Sequence, residues 1–204
     1  MRVLINRFAR ASRYLVLAVT GLLLLSVTCS AATFSADVIQ KGRKQVLKGK
    51  LYVKGAKVRQ EITVGGEKQA TIFRPDKKLV WLLYPGTKSY MLVSQRVISG
   101  MDDPAARARI KDLSTTKKLG KETVNRYLCT KTRYTTRGEP KYVLTEWFAD
   151  KLKHVIKMEV KGPGQNDVIE CKNIKEGNVP DSLFEIPKGY KKIATPTAPP
   201  AEQR

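Results

Sequence analysis

The stretch from Leu79 to Val93, Leu-Val-Trp-Leu-Leu-Tyr-Pro-Gly-Thr-Lys-Ser-Tyr-Met-Leu-Val, restricts the fold more than any other part of the chain. Two apolar, aromatic arms flank Pro85-Gly86, a pair suited to a tight turn because Pro presets φ and Gly accepts a positive one. The left arm, Leu79 to Tyr84, is apolar on both alternating faces, as in a strand buried on two sides. The right arm alternates, Tyr90 and Leu92 against Ser89 and Met91. A type II turn matches strand twist less well than the primed turns do, so a loop wider than two residues is compatible with the pair. The stretch predicts a hairpin at the centre of a sheet.

The two-residue rhythm extends on both sides of it. Phe34 to Gln40 alternates, and in Val46 to Lys54 the row Leu47, Gly49, Leu51, Val53 opposes Lys48, Lys50, Tyr52, Lys54. Val58, Ile62 and Val64 then oppose Lys57, Arg59, Glu61 and Thr63, with turns at Gly55-Ala56, Gly65-Gly66 and Pro75-Asp76. After Val93 the rhythm breaks. Val97, Ile98 and Met101, then Ile110 and Leu113 behind Asp103-Pro104, fall at helical spacing. This predicts a helical segment that covers a sheet face, plugs its open end or simply connects. Strand signals resume at Lys117 to Val124, Arg126 to Tyr134, Tyr142 to Ala149, His154 to Lys161 and Asp167 to Ile174. The fold class is mainly β, one antiparallel sheet with a short helical lid.

The first 32 residues read as a secretory signal. Arg2, Arg7, Arg10 and Arg13 precede an apolar run from Tyr14 to Val27, and Ser30-Ala31-Ala32 supplies small residues. The run is short for a permanent anchor, which needs about 20 apolar residues. Cleavage is expected between Ala32 and Thr33, leaving a β domain over 33–193 and a disordered Pro-rich tail over 194–204. The competing reading, a lipid-anchored Cys29, meets a poor flanking pattern in Ser26 and Thr28. The expected location is periplasmic or secreted. Without the leader the chain keeps a net charge of +17, an excess that suits an anionic membrane or polymer and equally a solvated sheet face. Eight Lys or Arg and no acid lie between Lys41 and Arg59. No nucleic-acid-binding motif accompanies them.

Reactive side chains are scarce. His154 is the single histidine, no Gly-x-Ser-x-Gly elbow or phosphate-binding Gly-rich loop is present, and two separated cysteines with one histidine do not make a zinc site. The reading is a non-enzyme without cofactor or metal. Cys129 and Cys171 form a candidate disulfide in an exported chain. If they sit on the first and last strands of a four-strand meander, however, they lie roughly 14 Å apart, beyond the ~7 Å a disulfide spans.

A sheet with one polar face must cover the other, and one short Ala-rich helix is little cover for so much bulky surface. Val58, Ile62, Trp81, Leu83, Tyr90, Leu92 and Trp147 are therefore candidate walls of an apolar cavity, with either facing open for the Leu79–Tyr84 arm. Val97, Ile98, Met101, Ile110 and Leu113 are candidate lid residues. A cavity of this kind suits acyl chains; a closed, side-chain-filled barrel is the alternative.

Five segments in order carry a family resemblance: Gly49-Lys50-Leu51-Tyr52-Val53-Lys54-Gly55 with Lys57-Val58-Arg59; Trp81 to Tyr90; Gly120-Lys121-Glu122-Thr123-Val124; Trp147-Phe148-Ala149-Asp150; and Leu183 to Tyr190. Over roughly Phe34 to Lys192 the chain resembles the LolA/LolB-like, outer-membrane lipoprotein-sorting-like exported proteins of bacteria. The resemblance implies a strongly curved antiparallel half-barrel sheet, helices over its concave face, and a cavity that takes lipid or the acyl chains of a lipoprotein. Other relatives sense envelope stress, which implies the alternative of a structural or sensory module that binds a protein or anionic polymer through its basic surface. A net charge of +17 is high for a soluble shuttle. Arg59 matches a recurrent position to which the resemblance gives no role.

Overall fold

The computed structural model describes residues 32–43, 45–93 and 114–194. They form one sheet of twelve strands: β1 (Thr33–Lys41), β2 (Val46–Lys54), β3 (Lys57–Val64), β4 (Glu67–Arg74), β5 (Leu79–Tyr84), β6 (Ser89–Val93), β7 (Ser114–Val124), β8 (Tyr127–Thr136), β9 (Val143–Ala149), β10 (His154–Gly162), β11 (Gln165–Glu176) and β12 (Lys191–Lys192). Their order is β12-β6-β5-β4-β3-β2-β1-β11-β10-β9-β8-β7. Every described strand pair is antiparallel except β12 on β6. The mainly β, antiparallel fold read from the alternation is the fold observed.

Two meanders make up the sheet. The first runs from β1 out to β6, and the second starts at the far edge with β7 and returns to β11, which closes on β1. β6 and β7, consecutive in the chain, therefore lie towards opposite ends of the sheet. The expected lid residues Val97, Ile98, Met101, Ile110 and Leu113 lie outside the described residues, as do Cys29, the leader to Ala31 and the tail from residue 195.

The predicted hairpin is β5–β6, in the register Trp81↔Leu92 and Leu83↔Tyr90. Its turn differs from the type II expectation. Pro85–Thr87 form a single 3-10 turn, and Lys88, not Gly86, takes the positive φ (45°) as its N–H donates to the Pro85 carbonyl at 3.2 Å. Pro75–Lys77 and Lys78 (φ 52°) repeat the device between β4 and β5. In both, Pro fixes the first φ and the left-handed fourth residue swings the chain back into strand.

Direct cross-strand partners share a face of a sheet, so the registers separate the two faces. One carries the row Phe34–Val53–Val58–Phe73–Val80 across β1 to β5. We call it the Phe34 face. The other carries Tyr52–Arg59–Ile72–Trp81–Leu92 across β2 to β6, the Trp81 face. Gly49 sits where β2 crowds β3: a Cβ there would lie 2.0 Å from the Glu61 carbonyl oxygen. Only glycine permits that approach.

The sheet is curved. Asn125, in the β7–β8 turn, donates to the Cys171 carbonyl of β11 at 2.7 Å, and Tyr127 of β8 donates to Glu176 at 3.0 Å. In a flat sheet these strands would stand about 14 Å apart.

Candidate ligand-binding face

The Phe34 row is almost wholly withdrawn from water. Phe34, Val53, Val58, Phe73 and Val80 are 0%, 3%, 1%, 3% and 8% exposed, and the neighbouring Ala36, Val38 and Leu51 are equally buried. The second meander continues the face through Cys171, Ile169 and Met158, tied to β1 by Val38↔Cys171 and Gln40↔Ile169 and to one another by Met158↔Ile169. Burying each such side chain is worth roughly 1.5–3 kcal/mol. Gln60 (4% exposed) is the buried polar exception among β1 to β5 on this face, and Glu146 enters it from β9 as the partner of Met158. No α-helix occurs among the described residues to lie over it.

The Trp81 face of the first meander is covered instead by the chain's own C-terminal segment. Val179 and Phe184 pack with Ala70, Ile72, Trp81 and Leu83, and Leu183, Ile186 and Tyr190 flank them. Electrostatics hold the segment in place. Arg59 donates to the Leu183 carbonyl at 3.0 Å while pairing with Glu61 at 2.7 Å. The buried Arg74 donates to the Phe184 carbonyl at 3.0 Å, pairs with Asp76 at 2.7 Å and also pairs with Glu185. The hydrogen bond from Arg74 holds both Asp76 and Glu185 below the usual carboxylate range. Lys54 and Lys57 grip Asp181 at 2.7 and 2.5 Å, which draws its pKa down to about 2. Arg59 thus acquires a structural role that no motif gave it.

The seven cavity-wall candidates divide between the faces. Val58 and Ile62 lie on the Phe34 face. Trp81, Leu83, Tyr90 and Leu92 lie on the opposite one, where the segment from Val179 to Tyr190 covers them. The physical reason is parity: β5 is apolar on both faces because it is buried on both, and alternation alone does not say which cover is the chain's own. Trp147 shares the Trp81 face by register. There it pairs directly with Lys131 and Lys157, whose ammonium groups stand 4.7 and 4.2 Å from its ring centroid. Its Nε1 faces the Glu122 carboxylate and, after Lys131, helps hold that group below its ordinary pKa, without a hydrogen bond of ordinary geometry.

Cys129 and Cys171 are buried free thiols on β8 and β11. The candidate disulfide does not form: β9 and β10 lie between the two strands, which puts them three strand spacings apart, as in the meander that weighs against it. Burial raises both thiols, Cys171 to about 12. His154 is 3% exposed, its ring 5.5 Å from that of Phe34, and its Nε2 lacks a hydrogen-bond partner. Burial pushes its pKa down to about 4. Among the described residues no group of three His, Cys, Asp or Glu side chains is placed to hold a metal ion.

Sequence reading missed one concavity. A cleft of about 820 Å³ is bordered by Asn125, Tyr127, Lys151, Asn173 and Glu176. It exists because the β7–β8 turn folds onto β11, a long-range contact with no local signal. Its polar groups already satisfy one another, as in Lys151–Glu176 at 2.6 Å.

A family model described as a domain of unknown function (DUF4412) matches residues 37–155, from β1 to the start of β10. No curated protein matches the chain significantly. Among solved structures, MucB in complex with MucA(peri) aligns with a TM-score of 0.54 at 12% identity, over 82% of this chain and 58% of that one. The chain thus spans little more than half of MucB. An uncharacterized conserved protein from Thermus thermophilus aligns at 0.53 and 14% identity, over 86% of this chain and 99% of that one. These two show a shared fold. A LolA superfamily protein from Nitrosomonas europaea also matches, at 0.41 and 13% identity, over 81% and 96% of the two chains; at that score it carries no weight.

Proposed function

The chain belongs to the DUF4412 family, a domain of unknown function, and we propose that it is an exported envelope protein that binds lipid or lipoprotein acyl chains along its Phe34 face. The observation that carries this reading is the unbroken apolar row Phe34–Val53–Val58–Phe73–Val80, which shares one apolar core with Met158, Ile169 and Cys171 of the second meander and has no α-helix over it among the described residues. Apolar, largely preformed surfaces with few polar groups suit acyl chains. The Ser30-Ala31-Ala32 cleavage pattern followed by β1 at Thr33 supports export. The scarcity of reactive side chains supports binding over catalysis.

Native mass spectrometry and lipid extraction of protein purified from a bacterial envelope test the reading. Co-purified acyl lipid is expected; repeated absence of lipid, together with no uptake of a fluorescent fatty acid, overturns it.

A second reading has its own observation. The Trp81 face of β2, β8, β10 and β11 bears Lys48, Lys50, Lys131, Lys157 and Lys172, and MucB, which shares the fold, is seen in complex with MucA(peri). On this reading the chain is a structural or sensory module that binds a protein or anionic polymer through its basic surface. That binding weakens as salt rises and needs no lipid.

A further inference from the structure

The charge distribution singles out one carboxylate. Among the described residues eleven Asp and Glu side chains have a Lys or Arg nitrogen within 4.0 Å: Asp37, Glu61, Asp76, Glu122, Glu139, Asp150, Glu159, Glu170, Glu176, Asp181 and Glu185. With 39 basic residues against 18 acidic ones, pairing is what chance and Coulomb attraction favour. Of the others, Glu67 is exposed to water and Asp167 accepts from Gln165 at 2.8 Å beside a turn. Glu146 is different. It is half-buried in mid-strand, and no described Lys or Arg pairs with it.

Its position is also different. Glu146 is the direct cross-strand partner of Met158 on β10 and Thr132 on β8, and Met158 is in turn the partner of Ile169. That line of partners puts the carboxyl on the Phe34 face, at the end of the apolar surface proposed to take acyl chains. The Tyr134 hydroxyl, beside Leu144 on the same face, faces this carboxyl and favours its ionised form without a hydrogen bond of ordinary geometry. Burial raises the pKa of both groups, Tyr134 to about 12. The carboxylate has acceptor capacity to spare, and a half-buried acid beside apolar side chains gains most from a cation that arrives desolvated with it.

We propose that Glu146, the cross-strand partner of Met158, is the head-group site for an amphiphile whose acyl or alkyl chain lies on the Phe34 face and whose polar end is a protonated amine. This rests on the acyl-binding reading and narrows it to a class of ligand. The global field opposes the selection: a strongly cationic chain repels ammonium amphiphiles and attracts carboxylates. A preference for the amine must therefore be local.

The test titrates the full mature chain with dodecylammonium, dodecanol and dodecanoate by calorimetry, then repeats the series with Glu146→Gln. Dodecylammonium is expected to bind at least tenfold tighter than dodecanol, with dodecanoate weakest. Glu146→Gln is expected to abolish that preference while dodecanol binding persists, which also reports that the variant is folded. Tyr134→Phe should weaken the preference severalfold. Equal binding of the three probes, or an amine preference that survives Glu146→Gln, overturns the head-group site and leaves the acyl-binding reading standing. Failure of all three probes to bind overturns both.

Discussion

The two meanders use the same strand geometry and solve opposite problems. The first, β1 to β6, is apolar on both faces at β5 and has its Trp81 face over β4 and β5 covered by the C-terminal segment. In the second, β7 to β11, the Phe34 face is apolar at Met158, Ile169 and Cys171 of β10 and β11 and polar on β7 and β8, while the other face bears paired Lys and Glu side chains, with Trp147 roofed by Lys131 and Lys157. The difference teaches how to read a two-sided apolar strand. The burial of Val80, Trp81, Leu82 and Leu83 on β5 requires two covers, and one of them comes from about a hundred residues further along the chain. In the second meander lysine side chains shield the aromatics instead, Lys131 and Lys157 over Trp147 and Lys151 over Tyr127.

The strongest way to break this contrast is at the cover. Phe184→Ala is expected to cost about 3–5 kcal/mol, as truncation of a fully buried aromatic does. It should also expose Trp81 and not Trp147. Urea unfolding with tryptophan emission checks both parts; a red shift quenched in a Trp81→Phe background identifies the ring.

Acid should separate the halves next. The folded pKa of His154 is depressed to about 4, so the unfolded chain takes up the proton first. The contribution of the neutral imidazole to stability, up to about 3 kcal/mol, shrinks as pH drops from about 6.5 and is gone by about pH 4. His154→Phe should flatten that slope. The carboxylates that anchor the cover behave differently. Asp181 (about 2) and Glu185 are depressed, so their contribution persists above the usual carboxylate range and fades only as pH falls towards 2. Hydrogen exchange across this range should show β9 and β10 loosening before the segment from Val179 to Tyr190.

Arg74→Met tests the anchoring directly. It leaves the Phe184 carbonyl, Asp76 and Glu185 without their shared donor, and a loss of about 1–3 kcal/mol is expected, moderated because both carboxylates are half exposed. Chemical denaturation measures it. Smallest is the roof of the second meander, where Lys157→Ala should cost about 0.5–1 kcal/mol and raise acrylamide quenching of Trp147.

Much of this architecture was legible in the sequence. Alternation located the strands of both meanders, and Gly65-Gly66 marked its turn, with φ of 59° and 82°. The Leu183–Tyr190 segment was recognisable as a matching stretch but not as a cover, because nothing local says where an irregular segment docks. Its signals were the two carboxylates Asp181 and Glu185 spaced to meet Lys54, Lys57 and Arg74. For the same reason Trp81, Leu83, Tyr90 and Leu92 were grouped with Val58 and Ile62. Facing is a property of register, and register of β5 is fixed by turns at Lys78 and Lys88 whose left-handed geometry lysine rarely announces. Glu146 carries no signal in the sequence, because an acid in an alternating strand reads as solvent-facing and only the register makes Met158 its partner.

The measurement that bears most directly on the acyl-binding face is photo-crosslinking with a diazirine-bearing fatty acid, followed by residue-level mass spectrometry. The account predicts adducts on the Phe34 face, at Phe34, Val53, Val58 and Phe73. Adducts confined to Trp81, Leu83 and Leu92, or a distribution indifferent to face, would contradict it.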